Sequence, residues 1–410
     1  MKALIPLKER FKISHLSNFV FGIFLFTFIT SGWVQEQFNL SLTRIASASF
    51  ILVFLINLRI ILNYSKKLLN ENFYSLDFLI CLSFGLHCLL QIEINFHGLS
   101  CISLYLFFRA SSYENKQYKS LISLIFIVSL ISLAGVYLGL IEFLLASNSE
   151  LFFKSKDINY PGGYLSVLPF HSSGFQFSYN STAYLIICSL GFAKFLDLER
   201  RKLNFIMVLS IIGLVLCQAK IGLLFIAVLV LLKISKEFSN IQRIFLVGLI
   251  CTGYLFFAHI VFVDQNQILT SDKYFRVLIY NFQGFNFYLS LFSWLKLEFL
   301  NYLYEESLLG LTTMGYRVFS EGYEPHFLYA SLVLLGGLMF SILLSFRIIM
   351  NVYSALNFSI NNDIYYFTLV AAFFTESFLW DSYDSPIFWA VIVSIPFYKR
   401  LLNSSEEIKQ

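Results

Sequence analysis

Between residues 264 and 326 the chain carries Lys273, Arg276, Lys296, Arg317 and His326, with Glu324 two residues before the histidine. These side chains bind and move charge. Arginine offers a planar fork of N–H donors that grips a phosphate bidentately, and lysine adds a point charge. Histidine titrates near neutrality, so it can accept a hydroxyl proton without a metal. By the charge distribution below, these cations lie on the side of a membrane where cations are scarce. Such a set points to an anionic ligand.

The elements that must position them are membrane spans. The chain has 410 residues, 58% of them hydrophobic and only 13% charged, with a mean hydropathy of +0.72. Soluble domains do not read this way. A spanning helix needs about 20 mostly apolar residues, and continuous apolar runs exclude a barrel, whose strands alternate. Twelve spans are expected near 17–33, 45–63, 78–95, 98–110, 121–146, 180–196, 203–218, 221–235, 244–263, 327–346, 364–380 and 386–398. The fold class is therefore all-α, a polytopic integral membrane protein with a single membrane domain over 1–410. The first apolar run reads as a retained span, since no cleavage motif follows it. The six cysteines show no CxxC pair, so neither a metal site nor a disulfide framework is expected.

Charge orients the spans. With both termini cytoplasmic, 21 of the 29 lysines and arginines fall on the inside, including Lys66, Lys67, Arg200, Arg201, Lys202, Lys399 and Arg400. That bias follows the positive-inside rule. Two outward loops are then long, 147–179 and 264–326, and both are aromatic enough to fold onto the membrane surface. Within the second, Phe285 to Tyr304 mixes apolar residues with Asn286, Ser290, Lys296 and Glu298. It reads as an amphipathic helix lying at the interface. A thirteenth span there would invert everything downstream.

Three outward features precede or close these loops. Gly174 to Ser181, containing Asn180, stands at the mouth of the sixth span. Cys217-Gln218-Ala219-Lys220 sets a lysine at the tip of a tight helical hairpin. Tyr323-Glu324-Pro325-His326 meets a span containing Gly336-Gly337. This order resembles the O-antigen polymerase and ligase superfamily over roughly 170 to 340. In that family a Gly/Asn-rich entrance is followed by a basic turn, a long periplasmic loop with an early arginine, and a histidine before a glycine-containing span. Three departures favour the polymerase branch over the ligase branch: Ala219-Lys220 where Ser-Arg is usual, Phe327 after the histidine, and Phe340 downstream of Gly337.

The resemblance implies a glycosyltransferase at the periplasmic face of a bacterial inner membrane. It would move a growing glycan from undecaprenyl diphosphate to a sugar hydroxyl of another lipid-linked repeat unit. Arg276, Arg317 and Lys220 are then candidates for holding the diphosphate, with Arg276 also catalytic. His326 is the candidate base, Glu324 a weaker one, and Asn180 and Lys273 secondary candidates. Lys273 and Lys296 read more readily as solvated loop residues or headgroup contacts, and Arg317 equally as a partner for Glu305, Glu306 or Glu321. No cofactor, no catalytic metal and no nucleic acid are expected. The expected partners are the undecaprenyl-diphosphate-linked oligosaccharide, membrane lipids, a chain-length regulator and a flippase. The alternatives are an O-antigen ligase acting on lipid A-core and a flippase for lipid-linked oligosaccharides. A transporter would show related halves or broken helices.

Overall fold

Apolar helices in this chain keep their few hydroxyls satisfied locally. Thr27 donates to the Ile23 carbonyl at 2.8 Å, Ser129 to Ile125 at 2.8 Å and Thr375 to Ala371 at 3.0 Å. This back-bonding lets a hydroxyl sit in an apolar bundle with no partner helix. The computed structural model describes residues 7–58, 61–63, 76–91, 96–113, 115–145, 151–155, 168, 170–175, 179–196, 198–235, 237–257, 260–264, 276–282, 285–290, 328–355, 364–379 and 385–407.

Each of the twelve apolar segments holds an α-helix. They are α1 (Leu7–Phe38), α2 (Thr43–Ile56), α3 (Leu76–Gln91), α4 (Phe96–Ser111), α5 (Asn115–Leu144), α6 (Tyr179–Ala193), α7 (Arg200–Cys217), α8 (Lys220–Ile234), α9 (Asn240–Phe257), α10 (Leu328–Ala355), α11 (Ile364–Leu379) and α12 (Pro386–Glu407). Among the described residues, three helical stretches, Leu16–Phe38, Lys116–Leu144 and Leu328–Tyr353, are long and apolar enough to cross a membrane. Large apolar side chains such as Phe19, Leu89, Phe205 and Phe245 remain exposed on the helices. Water would not tolerate such a girdle, whereas lipid does. The protein is therefore a mostly helical, membrane-embedded bundle.

Polar contacts gather at the two ends of the bundle. At one end Asn57 after α2 donates to Ser17 of α1 at 2.7 Å and accepts from Gln117 of α5 at 2.8 Å. At the same end Tyr118 reaches the Ala390 carbonyl of α12 at 3.0 Å. Trp33 of α1, Glu142 of α5 and Gln218 after α7 gather at the other end.

That other end departs from expectation. The loop 147–179 does not simply lie on the surface. Its strands β1 (Phe153–Ser155) and β2 (Phe170–Ser172) pair antiparallel, with Phe153 opposite Ser172. The pair descends along α5 from Glu142 to Ser132. Gly135 and Gly139 leave that helix face bare. A Cβ on Gly139 would stand 2.2 Å from the Ser172 hydroxyl and 2.7 Å from the Phe152 carbonyl, and one on Gly135 would stand 2.6 Å from the Phe175 ring. Irregular backbone survives at such depth only when protein side chains satisfy it. Glu142 accepts from the Leu151 and Phe152 amides, each at 2.8 Å. Trp33 Nε1 donates to the Leu151 carbonyl at 2.8 Å. Gln218, with φ of 51°, accepts from the Leu168 amide at 2.8 Å and donates to the Phe170 carbonyl. Phe170 stacks on Phe143 at 4.3 Å, and Trp33 on Phe152 at 5.6 Å.

The second long loop also differs. The ninth segment is helical only to Phe257, and Ile260–Asp264 is strand β3. Residues 285–290, expected to begin an interfacial helix, form strand β5 (Phe285–Ser290) between β3 and β4 (Arg276–Phe282) in an antiparallel sheet. The alternation Phe285, Phe287, Leu289 against Asn286, Tyr288, Ser290 has the period of a strand. Residues 291–304 of the expected helix lie outside the described residues.

Helix α10 is broken. Gly337 has φ of 79° and ψ of 171°, a conformation essentially closed to residues with a Cβ. Ser341 donates to the Tyr329 carbonyl at 3.2 Å. Twelve residues of straight helix would put them about 18 Å apart, so the chain turns sharply at Gly337.

Candidate functional site

Three helices set the depth of that break. Asp77 of α3 meets Tyr105 of α4 and Arg347 of α10. Seven residues along each helix, Phe84 meets Gly98 and Phe340. The two layers are thus about 10 Å apart. Phe84 is at the middle of the 16-residue α3, and the Leu335 carbonyl lies 3.1 Å from a Cβ position on Gly98. The broken turn of α10 therefore sits near mid-depth of this three-helix unit. Its first part, Leu328 to Leu335, is buried apart from partly exposed Tyr329. The Tyr329 hydroxyl bonds with Ser377 of α11, next to buried Glu376. Glu376 lies within electrostatic range of Tyr184 and Cys188 on α6. An intramembrane acid among packed helices is a candidate functional group.

A groove opens between α6, α7, α8 and α11. It encloses about 350 Å³ and is bounded by Leu214, Val215, Ala219, Gly222, Phe225 and Tyr365, among others. From Ala219 to Leu229 along α8 it runs for about 15 Å. Its walls are almost wholly apolar, and Ala219 at its hairpin end is followed by Lys220, the first residue of α8.

The residues singled out in the sequence fare unevenly. Lys220 opens α8 at the groove's end. Asn180 is the second residue of α6, beside Thr182, whose hydroxyl donates to the Ser173 carbonyl of the inserted hairpin at 2.5 Å. These two belong to the same end of the bundle. Arg276 opens β4 opposite Ser290. His326, Arg317, Glu324 and Lys273 lie outside the described residues. Glu142, in the last turn of α5, is occupied in holding the hairpin. No group of three or more potential metal ligands occurs among the described residues. All six cysteines are free thiols.

One cluster escaped sequence reasoning altogether. Asp77, buried in the first turn of α3, accepts from Tyr105 at 2.5 Å and pairs with Arg347 Nε at 2.8 Å, Arg347 Nη2 at 3.1 Å and Arg109 Nε at 3.7 Å. Its other members lie 28 to 270 residues from Asp77 in sequence, so no spacing announces the cluster. The only local signal is Tyr105 and Arg109 four apart on one helix face.

No family model matches the chain, and no curated protein or solved structure is detectably similar to it.

Proposed function

We propose that this protein is a polysaccharide polymerase of a bacterial inner membrane, crossing it twelve times with both termini cytoplasmic. The observation that carries the reading is the groove beside Lys220. An apolar trough along helices exposed to lipid, with the Lys220 start of α8 at one end, suits a polyisoprenyl chain with a diphosphate at its head. In the reaction, the acceptor hydroxyl attacks the anomeric carbon of the donor glycan. The bond from that carbon to the diphosphate oxygen breaks, and charge collects on the leaving diphosphate. Arg276, Arg317 and Lys220 would receive that charge, and His326 would take the hydroxyl's proton. The test is the lipopolysaccharide ladder of a deletion strain. A core bearing a single repeat unit supports polymerase; bare core with polymer left on the lipid carrier supports ligase.

A second reading, a flippase for lipid-linked oligosaccharide, is favoured by one feature. Discontinuous helices near mid-depth are typical of transporters, and α10 is broken there at Gly337. A flippase deletion would leave bare core with single repeat units trapped on the cytoplasmic side.

A further inference from the structure

At the end of the bundle opposite the inserted hairpin, α5 and α7 draw apart. Nearer the hairpin they touch. The Tyr137 hydroxyl donates to the Leu209 carbonyl at 2.8 Å, and a Cβ on Gly213 would stand 2.5 Å from Leu133. Beyond that contact an open groove of about 460 Å³ lies between Phe126 and Leu130 of α5 and Phe205 and Ile206 of α7, with Arg201 and Lys202 completing it. We propose that this groove is a binding site for an anionic phospholipid. Three observations carry the inference. The first is depth. Helix α7 has 18 residues, so it is about 27 Å long, close to the roughly 30 Å of a hydrocarbon core. Its first turn, with Arg201 and Lys202, then falls at headgroup level, and Phe205 and Ile206 lie about one turn deeper. The second is the division of the walls. The lining is almost wholly apolar although two of its residues are cations. Arg201 and Lys202 therefore lend it their methylene stems and carry their charges to the rim. Both are exposed, and so is Phe205 below them. The third is charge. From Lys194 to Lys202 the chain holds four cations, Lys194, Arg200, Arg201 and Lys202, against two acids, Asp197 and Glu199, a net of +2. Lys202 meets Glu199 at 3.6 Å, but the two side chains are 62% and 74% exposed, so water screens the pair and a phosphate can compete for the lysine. A phospholipid supplies the complement in the same order, with phosphate at the boundary and its first methylenes one turn below. An anionic headgroup gains from each cation at the surface, whereas a zwitterionic one brings its own positive charge.

The full chain is purified and titrated with phosphatidylglycerol and with phosphatidylcholine, and retained lipid is counted by native mass spectrometry. Wild type is expected to hold a single phosphatidylglycerol in preference to phosphatidylcholine. Arg201→Gln with Lys202→Gln should lower that affinity about thirty-fold, the loss expected from two cations at a membrane surface. Lys116→Gln with Lys194→Gln removes two exposed cations that do not line the groove and should change it little. Leu130→Trp fills the groove and keeps every charge, so it too should lose the lipid. If that variant does not fold, Phe205→Ala, which opens the wall, takes its place. A wild type that prefers neither lipid overturns the site. Equal losses in the two charge pairs also overturn it, because they mean general surface attraction. Loss in Arg201→Gln with Lys202→Gln but not in Leu130→Trp removes the groove. The reverse leaves a groove with no preference for an anionic headgroup, and either result overturns the proposal.

Discussion

The Ser341 hydroxyl lies 3.2 Å from the Tyr329 carbonyl, although both belong to α10 and twelve residues separate them. Only a reversal at Gly337 permits this. If that reversal exists in the membrane, cysteines placed at 329 and 341 in a cysteine-free background will be joined by a short bismaleimide. A straight helix would hold them about 18 Å apart and beyond its reach. Gly337→Ala should lower stability by about 1–3 kcal/mol, the usual penalty for such a backbone state with a Cβ. Thermal unfolding in detergent reads the shift, and an unchanged midpoint would argue for a continuous helix.

The Asp77 cluster ties α3, α4 and α10. Removing one partner of a buried ion pair costs about 3–5 kcal/mol, because the other charge is stranded. Arg347→Ala should therefore destabilise strongly. The double change Asp77→Asn with Arg347→Gln should lose less than the sum of the singles. Strict additivity in that cycle would mean that the two side chains are not energetically coupled.

Gly139 is the contact that lets the hairpin descend. Gly139→Leu places side-chain atoms where Ser172 and the Phe152 carbonyl now sit. Ser173→Cys should be sluggish towards a membrane-impermeant maleimide in the wild type, since Ser173 is buried. It should label readily once Gly139→Leu is added. Fast labelling in both proteins would place the hairpin at the surface after all.

Filling the groove tests the proposed reaction. A Cβ on Gly222 meets only Leu214, at an ordinary 3.9 Å, so Gly222→Leu should occupy the trough without disturbing the fold. Polymer ladders should shorten or vanish at normal protein level. Full-length ladders would remove the groove from the mechanism.

The residues proposed for chemistry are tested directly. Arg276→Lys should lose most activity if a bidentate fork is needed. His326→Ala should cost about a hundred- to ten-thousand-fold if His326 is a general base. His326→Gln separates the roles: activity retained with Gln but lost with Ala assigns orientation. Full activity in both moves the search to Glu324.

The helices were legible because a 14- to 32-residue apolar run can bury its backbone polar groups only by coiling on itself. All twelve runs coil. What failed was weaker in signal. The stretch Phe285–Ser290 was read by composition as amphipathic helix, although its residues alternate with the period of a strand. Gly135 and Gly139 form a G-x-x-x-G pattern, ordinarily a helix-pairing face, yet here the partner is a hairpin. The Asp77 cluster had no sequence signature, because three separate helices deliver it. At the candidate site, sequence placed Lys220 at a helical turn and Asn180 at a helix start, and both are found there. The groove beside Lys220 depends on how α7 and α8 diverge, which no linear pattern records.

The inserted hairpin also dictates an order of assembly. Its backbone is completed by Gln218, which lies 48 residues beyond Phe170 and is synthesised later. When residues 151–175 leave the ribosome, α7 and the turn that carries Gln218 do not yet exist. Trp33 and Glu142 are made before the hairpin and can hold Leu151 and Phe152 at once, whereas the Leu168 amide and the Phe170 carbonyl have to wait for Gln218. The far strand of the hairpin is therefore sealed last, when the turn after α7 brings Gln218 to it.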